Sequence, residues 1–265
     1  MEKKRKYSET DWKKKVQNTA DVISTIRFYE GKKENPVIYD PFSHLFISPE
    51  GERMLSIALK YCPFFPEYLA VRDRFFDDQL DVFFRNEDSD QLVILGAGND
   101  MRGERLDFLK KKKVFEVDFA QKIKEKEEVL ISALGRLPEN VISVAADLES
   151  SDFLKLLADA GFNSEKRSAF LLQGLIYYLK PETVDNVFQK LSKLPSRRNL
   201  FLIDHASTDI SPDLRKGRLI YPEEPLEYLS SMEFSIKEYA LLGDLTEQYY
   251  GKHYKERWWV IAAVK

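Results

Sequence analysis

Three short apolar runs each end in residue types that can hold a nucleoside. Leu92 to Arg102 reads LVILGAGNDMR, an apolar strand that ends in Gly96-Ala97-Gly98. Glycines at a strand's carboxyl end allow a tight turn and let a ligand approach the backbone. The third glycine of a GxGxxG dinucleotide fingerprint would fall at position 101, which is Met101, so pyrophosphate binding loses support and a plain strand-to-helix turn stays open. The second run ends at Asp118, twenty-two residues after Gly96, the spacing of one strand-helix-strand step. A carboxylate there can accept hydrogen bonds from two ribose hydroxyls, whereas an arginine would favour a 2′-phosphate. The third run is followed by Ala146-Asp147-Leu148, where Asp147 can accept from an exocyclic amine and Leu148 can pack on an adenine face. Either acid alone could be an ordinary helix cap. Three consecutive strand ends with matching chemistry favour a nucleoside.

These positions need an alternating scaffold. From residue 91, short β-rich runs alternate with helix-length amphipathic segments, the pattern of a parallel sheet flanked by helices. Runs at 92–95, 114–118, 141–145, 169–172 and 200–203 predict five strands, and 119–134, 151–160 and 181–194 predict helices. Pro212, Pro222 and Pro225 then interrupt the alternation and predict a lid insertion at about 206–232, before strands near 234–238 and over 258–264. Upstream, apolar residues recur with helical spacing from Val16 to Phe28, GKKENP and Asp40-Pro41 break the chain, and a further helix runs from Tyr68 to Phe84. Residues 1–90 thus read as a helical cap region and 91–265 as a ligand-binding core.

Composition excludes several classes. With 265 residues, 43% hydrophobic and 32% charged, the chain can build one large core with an elaborated cap, and disorder is excluded for most of it. A formal net charge of −3 leaves no global basic field for nucleic acid or an anionic membrane. The basic start MEKKRKYSETDWKKK reads as a solvated helix start or frayed tail. No apolar run approaches the roughly 20 residues of a membrane-spanning helix. The single cysteine, Cys62, cannot form an internal disulfide, and with no secretory segment at the start the expected location is cytoplasmic. Nothing in the composition selects an oligomeric state.

The motifs together are more specific. GAGNDMR at 96–102, FEVDF at 115–119, AADL at 145–148, LLQGLIYYLKPE at 171–182 and RWWVIAAVK at 257–265 resemble the leucine carboxyl methyltransferase family, which includes bacterial S-adenosylmethionine-dependent O-methyltransferases. TADVISTIRFYE at 19–30 and YDPFSHLF at 39–46 are similar to that family's cap, and the resemblance covers about residues 16–265. It implies an α/β fold: a seven-stranded, mostly parallel, Rossmann-like sheet with one antiparallel strand, helices on both faces and a helical cap. It implies S-adenosylmethionine as cofactor, with Gly96 and Gly98 beside its methionine part, Asp118 on the ribose, and Asp147 with Leu148 on the adenine. Arg72 in LAVRDRFFDD matches the arginine that pairs with the cofactor carboxylate, Arg74 is the fallback if the register slips by two, and Arg27 matches a basic residue of the cap more loosely. Gln173 stands where the family usually has a glutamate, so a charge facing the cofactor's ammonium or sulfonium is missing, and Gln173→Glu is expected to tighten cofactor binding.

Methyl transfer from a sulfonium is an in-line displacement, so the protein mainly aligns the reactants, and no metal is required. A carboxylate acceptor, with a pKa of roughly 4, arrives deprotonated and needs no general base. Among His44, His205 and His253, only His205 follows a predicted strand end, where it is a candidate base or a structural residue; with a phenol or alcohol acceptor, His205, Asp204 or a nearby tyrosine would gain interest. Tyr178 in GLIYYL matches a family tyrosine near the reacting end of the cofactor and can donate to the acceptor, or it is core packing like Tyr177. Phe42, Phe46, Tyr221 and Tyr228 are candidates for an apolar acceptor pocket. The sequence thus points to an O-methyltransferase acting on a carboxyl group of a small-molecule acceptor, with no nucleic acid or membrane partner. The competing readings are a catalytically impaired cofactor-binding or interaction module, prompted by Gln173, and a nicotinamide-dependent oxidoreductase, which Met101 disfavours.

Overall fold

The computed structural model describes residues 9–85, 89–196, 198–207 and 220–265. Five parallel strands, β1 (Ser89–Leu95), β2 (Lys113–Asp118), β3 (Val141–Ala145), β4 (Arg167–Leu172) and β5 (Leu200–Ala206), are joined by β6 (Ser235–Leu241) and β7 (Trp258–Val264) in the order β3-β2-β1-β4-β5-β7-β6. β7 runs antiparallel to both β5 and β6. The seven-stranded, mostly parallel sheet expected from the sequence is therefore present. Chain direction reverses its progress across the sheet between β1 and β4, which opens a crevice at their carboxyl ends.

The central strands are buried on both faces, which is why they read as continuous apolar runs. Along β1, Leu92 and Ile94 face one layer while Val93 and Leu95 face the other. The second layer is closed by α6 (Phe153–Asp159), through Phe153 and Leu157, and by α7 (Pro181–Ser192), through Val184, Val187, Phe188 and Leu191. The first is closed by α3 (Phe65–Phe84), whose Tyr68, Val71, Phe76, Leu80 and Phe83 pack with Leu92, Leu171, Leu202 and Val260. So the helical segment expected as one cap divides in two. α3 shares the main core with the sheet, while α1 (Glu9–Glu30) and α2 (Pro49–Tyr61) form a smaller cluster of Val22, Ile26 and Leu55 with Leu69 of α3.

Local chemistry starts and stops these elements. Ser48 caps α2 by accepting from the Gly51 N–H at 3.0 Å, with Pro49 in the first turn. Pro181 opens α7 with Glu182 beside it, and α5 (Ala120–Leu134) ends on Gly135 at φ +70°. Asp21 of α1 ties the cap down: it accepts from Ser48 Oγ at 2.8 Å and from Asn99 Nδ2 at 3.0 Å, and Lys122 of α5 lies 3.6 Å away. Within the expected lid, 208–219 lie outside the described residues; the chain beyond them forms α8 (Pro225–Ser231), and α9 (Leu242–Tyr250) precedes β7. Among the described residues, no helix is long and apolar enough to cross a membrane.

Because α3 is part of the main core, Phe76→Ala is expected to lower unfolding free energy by about 3–5 kcal/mol in one cooperative transition. Denaturant titration checks this; an early, separate transition confined to the helical segment would show that α3 belongs to a detachable unit.

Candidate active site

The crevice at the β1/β4 switch point is a cavity of about 340 Å³. Its floor is made by strand ends. β1 delivers Gly96 at φ +70° and Gly98 at φ +53°, a conformation that side chains rarely adopt. A Cβ on Gly96 would lie 2.9 Å from Leu175 Cδ1, and one on Gly98 would lie 3.1 Å from Ala20 Cβ of the α1 cap. Both glycines are thus held to their type by close neighbours as well as by φ.

Asp118 closes β2 and lines the cavity. Its Oδ2 accepts from the Gly98 N–H at 2.7 Å and its Oδ1 from the Phe119 N–H at 2.7 Å. Each oxygen keeps further lone-pair capacity, so a ribose diol can still donate to the carboxylate. Burial raises its pKa above the ordinary value, and the two backbone donors offset this in part. Asp147 and Leu148, after β3, line the cavity as well. Asp147 also works as a turn residue, with its Oδ1 accepting from the Glu149 N–H at 3.0 Å. Asp147 is thus a turn residue and not the helix cap weighed for it from sequence, since α6 begins at Phe153 behind Asp152.

The far wall holds charge. Arg72 and Arg27 line the cavity and are almost fully buried, whereas Arg74 turns to solvent and pairs with Asp78 at 2.8 Å. The helix period decides this: α3 buries the face of Tyr68, Arg72 and Phe76, and a step of two residues crosses to the outside. Arg72 Nη1 donates to Asp204 Oδ2 at 2.8 Å. Arg72 Nε is buried without a hydrogen-bond partner, 3.6 Å from Asp73 Oδ1. Asp204 accepts also from the Gly174 N–H at 2.6 Å and the Tyr177 hydroxyl at 3.2 Å. Arg27 Nε donates to Asp73 Oδ2 at 2.6 Å. Burial alone would raise the pKa of Asp73, but Arg27, Arg72 and Arg102 together hold it well below the carboxylate range.

Gln173 follows β4 and lines the cavity, but its amide is committed inward. Nε2 donates to Asp73 Oδ1 at 2.6 Å, and Oε1 accepts from Arg102 Nη2 at 2.9 Å. A carboxylate in its place would set a second negative oxygen against Asp73. The geometry thus gives Gln173→Glu the opposite sign from the tightening expected on sequence.

His205 does not line the cavity, which corrects its candidacy as a base. β5 runs on to Ala206, three residues beyond the end expected from sequence, so His205 lies inside a strand. Strand alternation then sends Leu202 and Asp204 to the α3 face, and Ile203 and His205 to the opposite one. Its ring is fully buried, and burial lowers its pKa below the ordinary imidazole value. Tyr178 and Tyr177 do line the cavity.

The expected acceptor aromatics are absent from the described lining. Phe42 and Phe46 pack with Met101 and Leu130, while Tyr221 and Tyr228 both donate to Asp185, at 2.9 and 2.7 Å. The apolar wall comes instead from Val22 and Ile23 of α1, Met54 and Ala58 of α2, and Phe65 and Leu69 of α3. Sequence reading missed these residues because each is also an ordinary core type. It also passed over Asp73 and Arg102, although the density of Asp and Arg in RDRFFDD and NDMRGER was a visible signal.

S-adenosylmethionine fits the residues present. Asp118 and Asp147 line the cavity as acceptors for a nucleoside's donors, the backbone of Gly96 and Gly98 borders it, and the Arg72 and Arg27 guanidiniums line it where a carboxylate needs a partner. Strand order and crevice define a Rossmann-like nucleotide-binding fold whose lining fits S-adenosylmethionine. The leucine carboxyl methyltransferase family model matches residues 21–192, and the chain belongs to that family.

Its relatives agree. A protein of Mycolicibacterium paratuberculosis assigned as an S-adenosyl-L-methionine-dependent methyltransferase is 31% identical over 192 residues, which span 68% of this chain and 62% of that protein. One of Mycobacterium bovis with the same assignment is 30% identical over 213 residues, 75% of this chain and 68% of the relative. Among solved structures, a protein of Thermobifida fusca assigned as a methyltransferase shares the fold, with a TM-score of 0.66, 14% identity, and coverage of 93% and 94% of the two chains. A DUF574 family protein of Streptomyces avermitilis does so at 0.65 and 12% identity, over 93% and 97%.

An imidazole kept neutral in the fold and protonated when unfolded favours unfolding below its ordinary pKa of about 6.5. His205→Leu is therefore expected to reduce the stability lost between pH 7 and pH 5. Thermal denaturation of both proteins at the two pH values checks this, and identical pH dependence would show that His205 is not the group responsible.

Proposed function

We propose that the chain transfers a methyl group from S-adenosylmethionine to a carboxyl oxygen of a small, apolar acid. The observation that supports this reading is the division of the cavity. Asp118 and Asp147 stand at its strand ends, while the helices opposite carry the apolar side chains Val22, Met54, Phe65 and Leu69, with Arg27 and Arg72 further along α1 and α3. The cofactor, when bound, supplies an electrophilic methyl carbon on a sulfonium.

The residues of the chain do the rest. Asp118 receives the ribose hydroxyls, Asp147 and Leu148 receive the adenine, and the methionine part lies along the backbone of Gly96 and Gly98, which borders the cavity. Arg72, with Arg27 beside it, neutralises the cofactor carboxylate, which removes the large penalty of an unpaired charge in a dry site. The apolar wall excludes water and positions the acceptor, and Tyr178 donates a hydrogen bond that orients it. The described residues that line the cavity include no histidine or cysteine, and the Tyr177 hydroxyl is committed to Asp204. That arrangement suits an acceptor that is already ionised, because no proton has to be removed during transfer.

Transfer of labelled methyl to a panel of carboxylic acids, phenols, alcohols and amines tests the acceptor. Methyl esters of apolar acids, which release methanol in alkali, are the expected product. Methylation of phenols alone would overturn the carboxyl assignment, and cofactor binding without transfer to any acceptor would favour a non-catalytic binding module. Asp118→Asn is expected to weaken S-adenosylhomocysteine binding about tenfold in calorimetry, through loss of charge-assisted hydrogen bonds. Tyr178→Phe is expected to lower kcat about tenfold while leaving cofactor affinity within about twofold, since its hydroxyl is placed on the acceptor.

A further inference from the structure

Behind the arginine wall lies a carboxylate that itself does not line the cavity. Asp73 is on α3, is 1% exposed, and is met from three elements. Arg27 reaches it from α1 at 2.6 Å, Arg72 from its own helix at 3.6 Å, and Gln173 from the end of β4 at 2.6 Å. A third guanidinium, Arg102 of α4 (Arg102–Arg105), stands 3.9 Å away. Arg102 is occupied elsewhere. Its Nε donates to Asp77 at 2.7 Å, its Nη1 to Asp100, and its Nη2 to Gln173.

The geometry of this cluster has a direction. Arg27 meets Asp73 through Nε, the nitrogen nearest its stem, and Arg72 meets Asp204 through Nη1, so both guanidiniums line the cavity while the carboxylates that hold them do not. Arg72 Nε has no hydrogen-bond partner. Gln173 is the link that holds Asp73 in this pose. Its amide offers a donor to the acid and an acceptor to Arg102, a polarity that a carboxylate cannot reproduce because it has no proton to give.

We propose that Asp73, oriented through Gln173, is the positioning residue that aims Arg27 and Arg72 at the cofactor's carboxylate, and that this requires a neutral side chain at position 173 as long as position 73 carries the negative charge. The proposal rests on the S-adenosylmethionine reading of the cavity. It assigns Gln173 a role in the scaffold of the charge wall, and it makes Asp73 and Gln173 a matched pair whose charges can be exchanged but not both be negative.

The test compares two ligands that differ in the group the arginines would hold. S-adenosylhomocysteine has an amino-acid carboxylate, and adenosine has none. For Gln173→Glu and for Asp73→Asn, calorimetry is expected to show S-adenosylhomocysteine affinity falling about tenfold or more, with adenosine affinity changed less than about twofold. The double variant Asp73→Asn/Gln173→Glu restores one donor amide and one carboxylate to the pair, and should recover S-adenosylhomocysteine binding to within about threefold of the parent. Equal or tighter binding by Gln173→Glu, equal losses for both ligands, or no recovery in the double variant would each overturn the proposal. If the parent chain bound neither ligand, the cofactor reading would fail instead. Melting of the unliganded proteins would then still decide the pairing, because the double variant must melt above Gln173→Glu, and melting at or below it would refute the match.

Discussion

The structure depends on keeping several guanidiniums and carboxylates out of water at one end of a sheet. Arg27, Arg72 and Arg102 are buried, as are Asp73, Asp100 and Asp204, and each carries a desolvation penalty of several kcal/mol unless it is paired with good geometry. The short contacts from Arg27 to Asp73, Arg72 to Asp204 and Arg102 to Asp77 provide that pairing. Partners for any one residue come from different elements, so the cluster forms only when α1, α3, the loop after β1, and the ends of β4 and β5 are all in place. It is therefore a device for register as well as for charge. Position 173 shows how tightly the signs are matched, since a neutral amide bridges Asp73 and Arg102 where an acid would crowd like charges.

Around this cluster the fold separates rigidity from access. The sheet is packed on both faces by apolar residues that alternate along each strand. α1 and α2 pack as a smaller cluster over the cavity and are tied to the floor through Asp21, Asn99 and Ser48. A nucleoside site can be built on strand ends because backbone geometry there is set by the sheet, with Asp118 bracing the glycine turn through the Gly98 N–H. The apolar wall, by contrast, comes from α1 and α2, which pack as a smaller cluster, together with Phe65 and Leu69 at the start of α3.

Much of this was legible along the chain. β2, β3, β4 and β7 fall within two residues of the expected runs, because apolar β-rich segments between helical segments have few other readings. Gly96, Gly98, Asp118, Asp147, Leu148, Arg72, Arg27, Gln173 and Tyr178 all meet at one cavity. The failures are equally specific. β5 extends three residues past its expected end, and that extension converts His205 from a strand-end candidate into a buried residue on the opposite face. Phe42, Phe46, Tyr221 and Tyr228 were expected at the acceptor on the strength of aromatic character, yet they pack or bond elsewhere. Aromatic character marks burial and says nothing about which cavity a ring borders.

By itself, the order of residues determined the layer pattern, the strand ends that carry chemistry, and the family to which the chain belongs. Those properties are local: periodicity and glycine punctuation act over a few positions, and a motif keeps its meaning wherever the chain goes. Only the tertiary structure decided which arginine faces inward, that Asp73 sits behind the wall, that Gln173 points at an acid, and which helices supply the apolar side. Each of these rests on groups far apart in sequence, such as Gln173 against Asp73 and Arg72 against Asp204, whose distances are set by packing and by the demand that buried charge be matched.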